Sequence, residues 1–196
     1  MFNISQKKNN RVIRCFTHKL ADIAGGVNIA TSDLTQETLP EAVAVGIDSS
    51  TGIFHVVKTA ELTANASSSA TTYTVKKGHN FKVGDFVMLA TGAKAYAITA
   101  ITTNSSNSAY DDIAVGTTLG KAASAGDCLM QAAAESASTS SAFKYAPKGL
   151  TGEGYDVKQG QNIFANVWLI AVVKEAALEA KLPAAIKNAL TGIQFV

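Results

Sequence analysis

From Glu41 onward, short apolar runs alternate with clusters of turn-forming residues. Ala42 to Ile47 reads as a strand, Asp48 to Gly52 as a turn and Ile53 to Lys58 as a second strand. Two β-rich runs joined by a short polar loop ending in glycine predict a hairpin. After a low-complexity polar stretch, Thr63 to Thr72, the β signal is densest: Thr72–Val75, Phe86–Leu89, Ala95–Ile101, Ile113–Val115 and Leu129–Met130. The turns between them are Lys76–Asn80, Thr91–Lys94 and Asn104–Asn107. Short strands with turn signals every ~8–12 residues predict a small β-barrel or sandwich. Gly84-Asp85 and Gly126-Asp127 each stand just before an apolar strand. Glycine supplies a positive φ there and the aspartate bonds nearby amides, so each reads as a tight turn that launches a strand.

The two ends differ from this middle. Residues 1–40 show no periodicity and read as an extended N-terminal arm, with at most a helical turn near Ser32–Thr38. In Thr38-Leu39-Pro40 the proline disfavours helix for the residue before it. Residues 41–196 form the β-rich body. Near the C-terminus, Ala132–Ala142 and Ala146–Gly154 read as loops, and Ile163–Val173 returns to strand. Lys174–Lys181 reads as a helical turn or loop, and Pro183 opens a short helix over Pro183–Leu190 that Gly192 is placed to stop. Ile193–Val196 closes the chain as an apolar strand expected to be buried. The fold class expected is therefore mainly β, with an arm in front and a short C-terminal helix.

Composition qualifies this picture. Charged residues make up only 16% of the chain, against roughly 25% in ordinary soluble domains. Serine, threonine, alanine and glycine fill the difference, giving a neutral, hydroxyl-rich surface suited to packing against other subunits. The net charge of +2 is unevenly spread. Residues 1–21 carry Lys7, Lys8, Arg11, Arg14 and Lys19 with no acid, while the other 12 basic residues face all 15 acidic ones. A basic terminus ahead of a mildly acidic body reads as a docking arm. Apolar Val12, Ile13, Phe16 and Leu20 are interleaved with the charges. The segment is spaced to fold on contact as an amphipathic helix or to lie extended in an acidic groove. Five charges without aromatic platforms argue against nucleic acid as the partner. No apolar run approaches the ~18 residues of a membrane-spanning helix, and the first residues lack an apolar stretch of signal-peptide length. The expectation is a protein made and kept in a cytoplasm until assembly.

Catalytic chemistry has little to stand on. His18, His55 and His79 have no cysteine or histidine at metal-ligand spacing, and Cys15 and Cys128 form no Cys-x-x-Cys pair. The two thiols read as buried or idle rather than as a disulfide. His55 is expected half-buried and hydrogen-bonded in its strand, and His79 exposed in its turn. The nucleophile elbow, phosphate loop and dinucleotide fingerprint are all missing from the sequence. Asp111-Asp112 is an adjacent acidic pair whose members point to opposite faces of a strand. No enzyme, cofactor or metal is expected.

The run from Thr72 to Val87, with Ala95–Ile101, Tyr110–Gly120, Ala125–Asp127 and the ending Leu182–Val196, resembles tailed-phage virion proteins. These are the head-fibre and capsid-decoration proteins of phages infecting Bacteroidetes-type gut bacteria, crAss-like phages among them. The resemblance covers about residues 41–196 and rests on turn-and-strand patterns rather than a chemical signature. It implies a non-enzymatic homotrimer on the outer capsid surface, partnered by the major capsid protein or other virion proteins, with no catalytic residues to carry over. Outside its coverage, charge and composition alone nominate Lys7, Lys8, Arg11, Val12, Arg14, Phe16, Lys19 and Leu20 as capsid contacts. A tail or baseplate component is the alternative, followed by a carbohydrate-binding module, for which only Trp168 offers a tryptophan platform.

Overall fold

The computed structural model describes residues 14–196. The strands of the first part of the chain are β1 (Phe16–Asp22), β2 (Val27–Ile29), β3 (Thr38–Leu39), β4 (Ala44–Ile47) and β5 (Phe54–Val56). The middle gives β6 (Thr59–Glu61), β7 (Thr72–Lys76), β8 (Phe86–Met88), β9 (Ala95–Thr103), β10 (Tyr110–Val115) and β11 (Cys128–Ala132). The last part gives β12 (Gly149–Thr151), β13 (Tyr155–Asp156), β14 (Ile163–Ala165), β15 (Val167–Val173) and β16 (Ile193–Phe195). A 3-10 turn, Glu175–Ala177, and one helix, α1 (Ala184–Ala189), precede β16. The fold is mainly β, as the alternating pattern predicts.

Both ends of the chain build one eight-stranded sheet, ordered β1-β15-β12-β4-β5-β2-β14 with β16 added in parallel to β15. The expected hairpin is β4–β5, paired antiparallel from Val45–Val56 to Ile47–Phe54. Asp48 Oδ1 caps its turn by accepting from the Ser50 amide at 2.9 Å. Neighbouring residues of β4 serve opposite faces: Ala44 joins Phe16, Leu150, Val173 and Ile186 on one side, and Val45 joins Ile29, Leu39, Phe54 and Val167 on the other. Helix α1 covers the first face through Ile186. Its alanines favour helix, Pro183 stands just before its first turn, and the Leu190 amide closes it on the carbonyls of Ile186 and Lys187.

The boundary expected at residue 40 is not one in the described residues. β1 pairs with β15, and β2 pairs with β5 and β14, so residues 16–29 belong to the main sheet. Phe16 to Leu20, spaced for an amphipathic helix, are strand, because β15 supplies an extended edge to bond to. The Ser32–Thr38 region holds a turn closed by the Leu34 amide on Thr31 O and no helix.

β6 to β11 leave the sheet after β5 and return at β12, forming a second, six-stranded sheet ordered β6-β11-β8-β9-β10-β7. Its two outer strands meet through the Leu62–Val75 bridge, so the sheet curls into a small barrel. Tyr73, Val75, Val87, Ile98, Ile113 and Leu129 fill its interior. The barrel is two copies of one three-strand unit. Exchanging β6 with β9, β7 with β10 and β8 with β11 leaves every pairing in place. The two Gly-Asp turns are the equivalent corners, each with glycine φ +92°. Gly84 and Gly126 donate to Ile98 O and Leu62 O, and the Ile98 and Leu62 amides donate back to Asp85 O and Asp127 O. Met88 and Met130 face each other where the halves meet. The repeat is written in the sequence as Gly84-Asp-Phe-Val-Met88 and Gly126-Asp-Cys-Leu-Met130.

Gly192 has a different task from the one its sequence position suggests. A Cβ there would lie 2.2 Å from Leu169 O, and one at Gly46 would lie 2.3 Å from Ala146 O, so both let backbones pass closely. Gly52 has a positive φ of +72° and open space around it. Gly192→Ala and Gly46→Ala are expected to cost about 3 kcal/mol or more, against about 1–2 kcal/mol for Gly52→Ala. Urea unfolding midpoints check this, and equal costs at the three positions would refute the close-approach argument.

Candidate functional site

The barrel and the sheet meet over a polar junction. Its centre is Lys58, the last residue before β6, only 2% exposed, whose Nζ lies 2.8 Å from Asp85 Oδ2. Asp85 is the aspartate of the first Gly-Asp corner. Its Oδ2 also accepts the Lys82 amide at 2.9 Å, and its Oδ1 accepts Gln131 Nε2 at 3.0 Å. The corner's mate, Asp127, makes the same backbone bond, accepting the Ser124 amide at 2.8 Å, and has no ion-pair partner among the described residues. One copy of the repeated turn has thus been recruited to neutralise a buried ammonium. Burying either ion alone costs several kcal/mol.

Around this pair lie two histidines. His55 Nδ1 contacts Asp33 Oδ2 and its ring stacks on Tyr145 at 4.1 Å between centroids, so it is half-buried and bonded as expected. Burial, reinforced by Asp33, Asp48 and Asp85, pushes the Tyr145 hydroxyl up to about 12. His79 departs from expectation: its side chain is only 6% exposed, because the loop folds under the barrel's rim beside Asp111. Burial lowers its pKa, Asp111 opposes the shift and Lys58 adds to it. Asp111 and Asp112 do diverge: Asp111 faces Lys77 and His79, while Asp112 accepts from Thr74 and Asn104.

A cavity of about 160 Å³ opens here, lined in part by Lys58, Glu61, Lys76, His79 and Lys181. Glu61 sits 2.5 Å from Lys76 and 3.7 Å from Lys181, so the rim charges answer each other instead of forming a field of one sign. A groove of about 370 Å³ runs between the second Gly-Asp corner and α1, walled by Met130, Leu182 and Pro183 with Lys121 and Lys187 at its edge. Among the described residues no group of three or more His, Cys, Asp and Glu is gathered for a metal. Cys15 and Cys128 are buried free thiols. Burial, opposed by Lys181 and aided by Glu61, pushes Cys128 up to about 11.

The nominated contact residues are spread over different environments. Lys7, Lys8, Arg11 and Val12 lie outside the described residues. Arg14 is exposed, and Leu20 is 67% exposed on β1, the outer strand of the sheet. Ile170, exposed on the neighbouring β15, is paired with Ala21. Phe16 is buried in the sheet's own core, and Lys19 bends over the Phe16 and Trp168 rings to donate to Gly152 O at 2.9 Å. Lys19 therefore covers Trp168 rather than leaving it as a sugar platform. Nothing in the charge pattern of residues 1–21 separates these fates; pairing to β15 does. No family model, curated protein or solved structure matches the chain.

Two outcomes follow from the junction. Asp85→Ala strands the Lys58 ammonium and is expected to cost about 3–5 kcal/mol, whereas Asp127→Ala loses one turn bond worth about 1 kcal/mol. Denaturant titration of both variants checks the contrast, which equal losses would remove. The native protein is also expected to react with a thiol-disulfide reagent near pH 8 far more slowly than the denatured chain. Prompt reaction of both thiols in the folded state would contradict their burial.

Proposed function

We propose that the protein is a non-enzymatic structural subunit of a bacteriophage particle, held on the outer capsid surface as a decoration or head-fibre protein and assembled as a homotrimer. The observation that carries the reading is the outer edge of the sheet. Among the described residues β1 bonds only to β15; it carries exposed Leu20, β15 carries exposed Ile170, and β1 follows the basic start of the chain. An edge strand with exposed apolar side chains is a template for another surface. The low-charge body and the resemblance of residues 41–196 to phage virion proteins support the same reading and suggest three copies.

The roles divide by environment. Arg14 and the basic residues before it steer the chain toward an acidic capsid surface, an attraction screened over ~10 Å at ordinary salt. Leu20 supplies lasting affinity, on the order of 1.5–3 kcal/mol if fully buried. Phe16 anchors β1 in the core, and Lys19 lies back over the Phe16 and Trp168 rings. Three such contacts on a trimer would act together through effective concentration.

Deleting residues 1–21 would remove most of β1 and strip β15 of that partner, so the test cuts ahead of Arg14. The full 20.3 kDa chain and a chain lacking residues 1–13 and carrying Leu20→Ser are each expected to show three times their own chain mass in light scattering, and the shortened variant to lose binding to purified particles. Antibody labelling of wild-type particles is expected on heads. Label confined to tails favours the tail or baseplate alternative, and a monomer mass or undiminished particle binding by the truncated variant overturns the proposal.

A further inference from the structure

We propose that the loop between β7 and β8 is an acid-sensitive latch, in which the neutral imidazole of His79 holds the shape that fastens the barrel to the sheet and protonation releases it. The loop bridges the two bodies. The His79 carbonyl accepts Thr35 Oγ1 at 3.1 Å, and Asn80 Oδ1 accepts the Thr35 amide at 2.9 Å. Three residues on, Lys82 Nζ donates to Ser32 O at 2.6 Å. Residues 79–82 thus grip residues 32–35 of the sheet, close to the Lys58–Asp85 pair.

The shape of that grip depends on one bond inside the loop. His79 Nδ1 accepts the Phe81 amide at 3.2 Å. An accepting Nδ1 requires the tautomer with its proton on Nε2. Adding a second proton turns Nδ1 into a donor facing another donor, inside a pocket where the side chain is 6% exposed. The loop must then open to hydrate the cation.

The surroundings of the ring pull in both directions, and burial decides the balance. Asp111, on β10, lies 3.5 Å from Nε2 and favours the cation, but Nε2 makes no hydrogen bond, and Asp111 also faces Lys77 at 3.7 Å. Lys58, ahead of β6, opposes the cation, and burial opposes it most. The folded pKa therefore lies below the unfolded value of about 6.5. A depressed pKa means the stability is fully present above the unfolded value and is lost as pH falls toward and through the folded one.

The test is hydrogen exchange of the full chain at about pH 7.5 and about pH 5, corrected for intrinsic rates. Opening of residues 32–36 and 77–83 is expected to rise several-fold at the lower pH, with β9 and β10 unchanged. His79→Asn, whose Oδ1 can take the place of Nδ1 and cannot titrate, is expected to stay closed at both. Should that variant fail to fold, the wild-type imidazole titration by NMR decides. A His79 inflection below those of denatured histidines, coincident with loop opening, supports the latch. Flat exchange in the wild type, the same acid opening in His79→Asn, or a His79 inflection unrelated to loop opening overturns it.

Discussion

A lysine ammonium that is 2% exposed has to be answered by something, and in this protein the answer fixes how the two halves of the fold meet. Lys58 is the hinge residue of the topology, standing between the last strand of the first sheet segment and the first strand of the barrel. Its charge is met by Asp85 from the barrel's own corner, which Gln131 and the Lys82 amide hold in place. Attraction across low-dielectric surroundings offsets desolvation only when the geometry is this complete. The pair therefore sets an orientation, and the neighbouring contacts of Thr35, Asn80 and Lys82 are built around it.

The barrel shows how one sequence device serves two ends. Both Gly-Asp corners use a left-handed glycine and an aspartate that bonds back onto the turn, and both lock to the other unit, at or just after its first strand. Copying a three-strand unit doubles a core without inventing a second one, and Met88 and Met130 fill the seam where the copies meet. Asp85 then diverges from Asp127 by accepting an ammonium. The seam itself packs against Phe143 and Ala185, which ties the barrel to α1 as well as to the sheet.

What could be read in the sequence was what local chemistry decides. The β4–β5 hairpin rests on Asp48 and Gly52, and α1 on Pro183 and its alanines; both lie within a residue or two of where the pattern puts them. The pairing of β1 was not legible. Its residues run buried once and then exposed, so no alternation marks them, and the partner that makes them a strand lies some 150 residues away. The burial of His79 depends on the curl that brings Asp111 beside it, and Lys58 and Asp85 are 27 residues apart. The two Gly-Asp pairs were visible, yet two turns become a symmetry only once the strand order is known. Of the candidate contacts, charge pattern alone could not distinguish exposed Arg14 and Leu20 from buried Phe16 or from Lys19, which folds back onto Gly152.

The dependence of the fold on its central ion pair is open to a double-mutant cycle at Lys58 and Asp85. Lys58→Met, Asp85→Asn and the double variant would be unfolded in urea alongside the wild type. The account predicts that each single change is strongly destabilising and that the double variant loses less than their sum, with a coupling of about 1–3 kcal/mol. Losses that simply add would contradict it, because the two charges would then be stabilising the protein independently of each other.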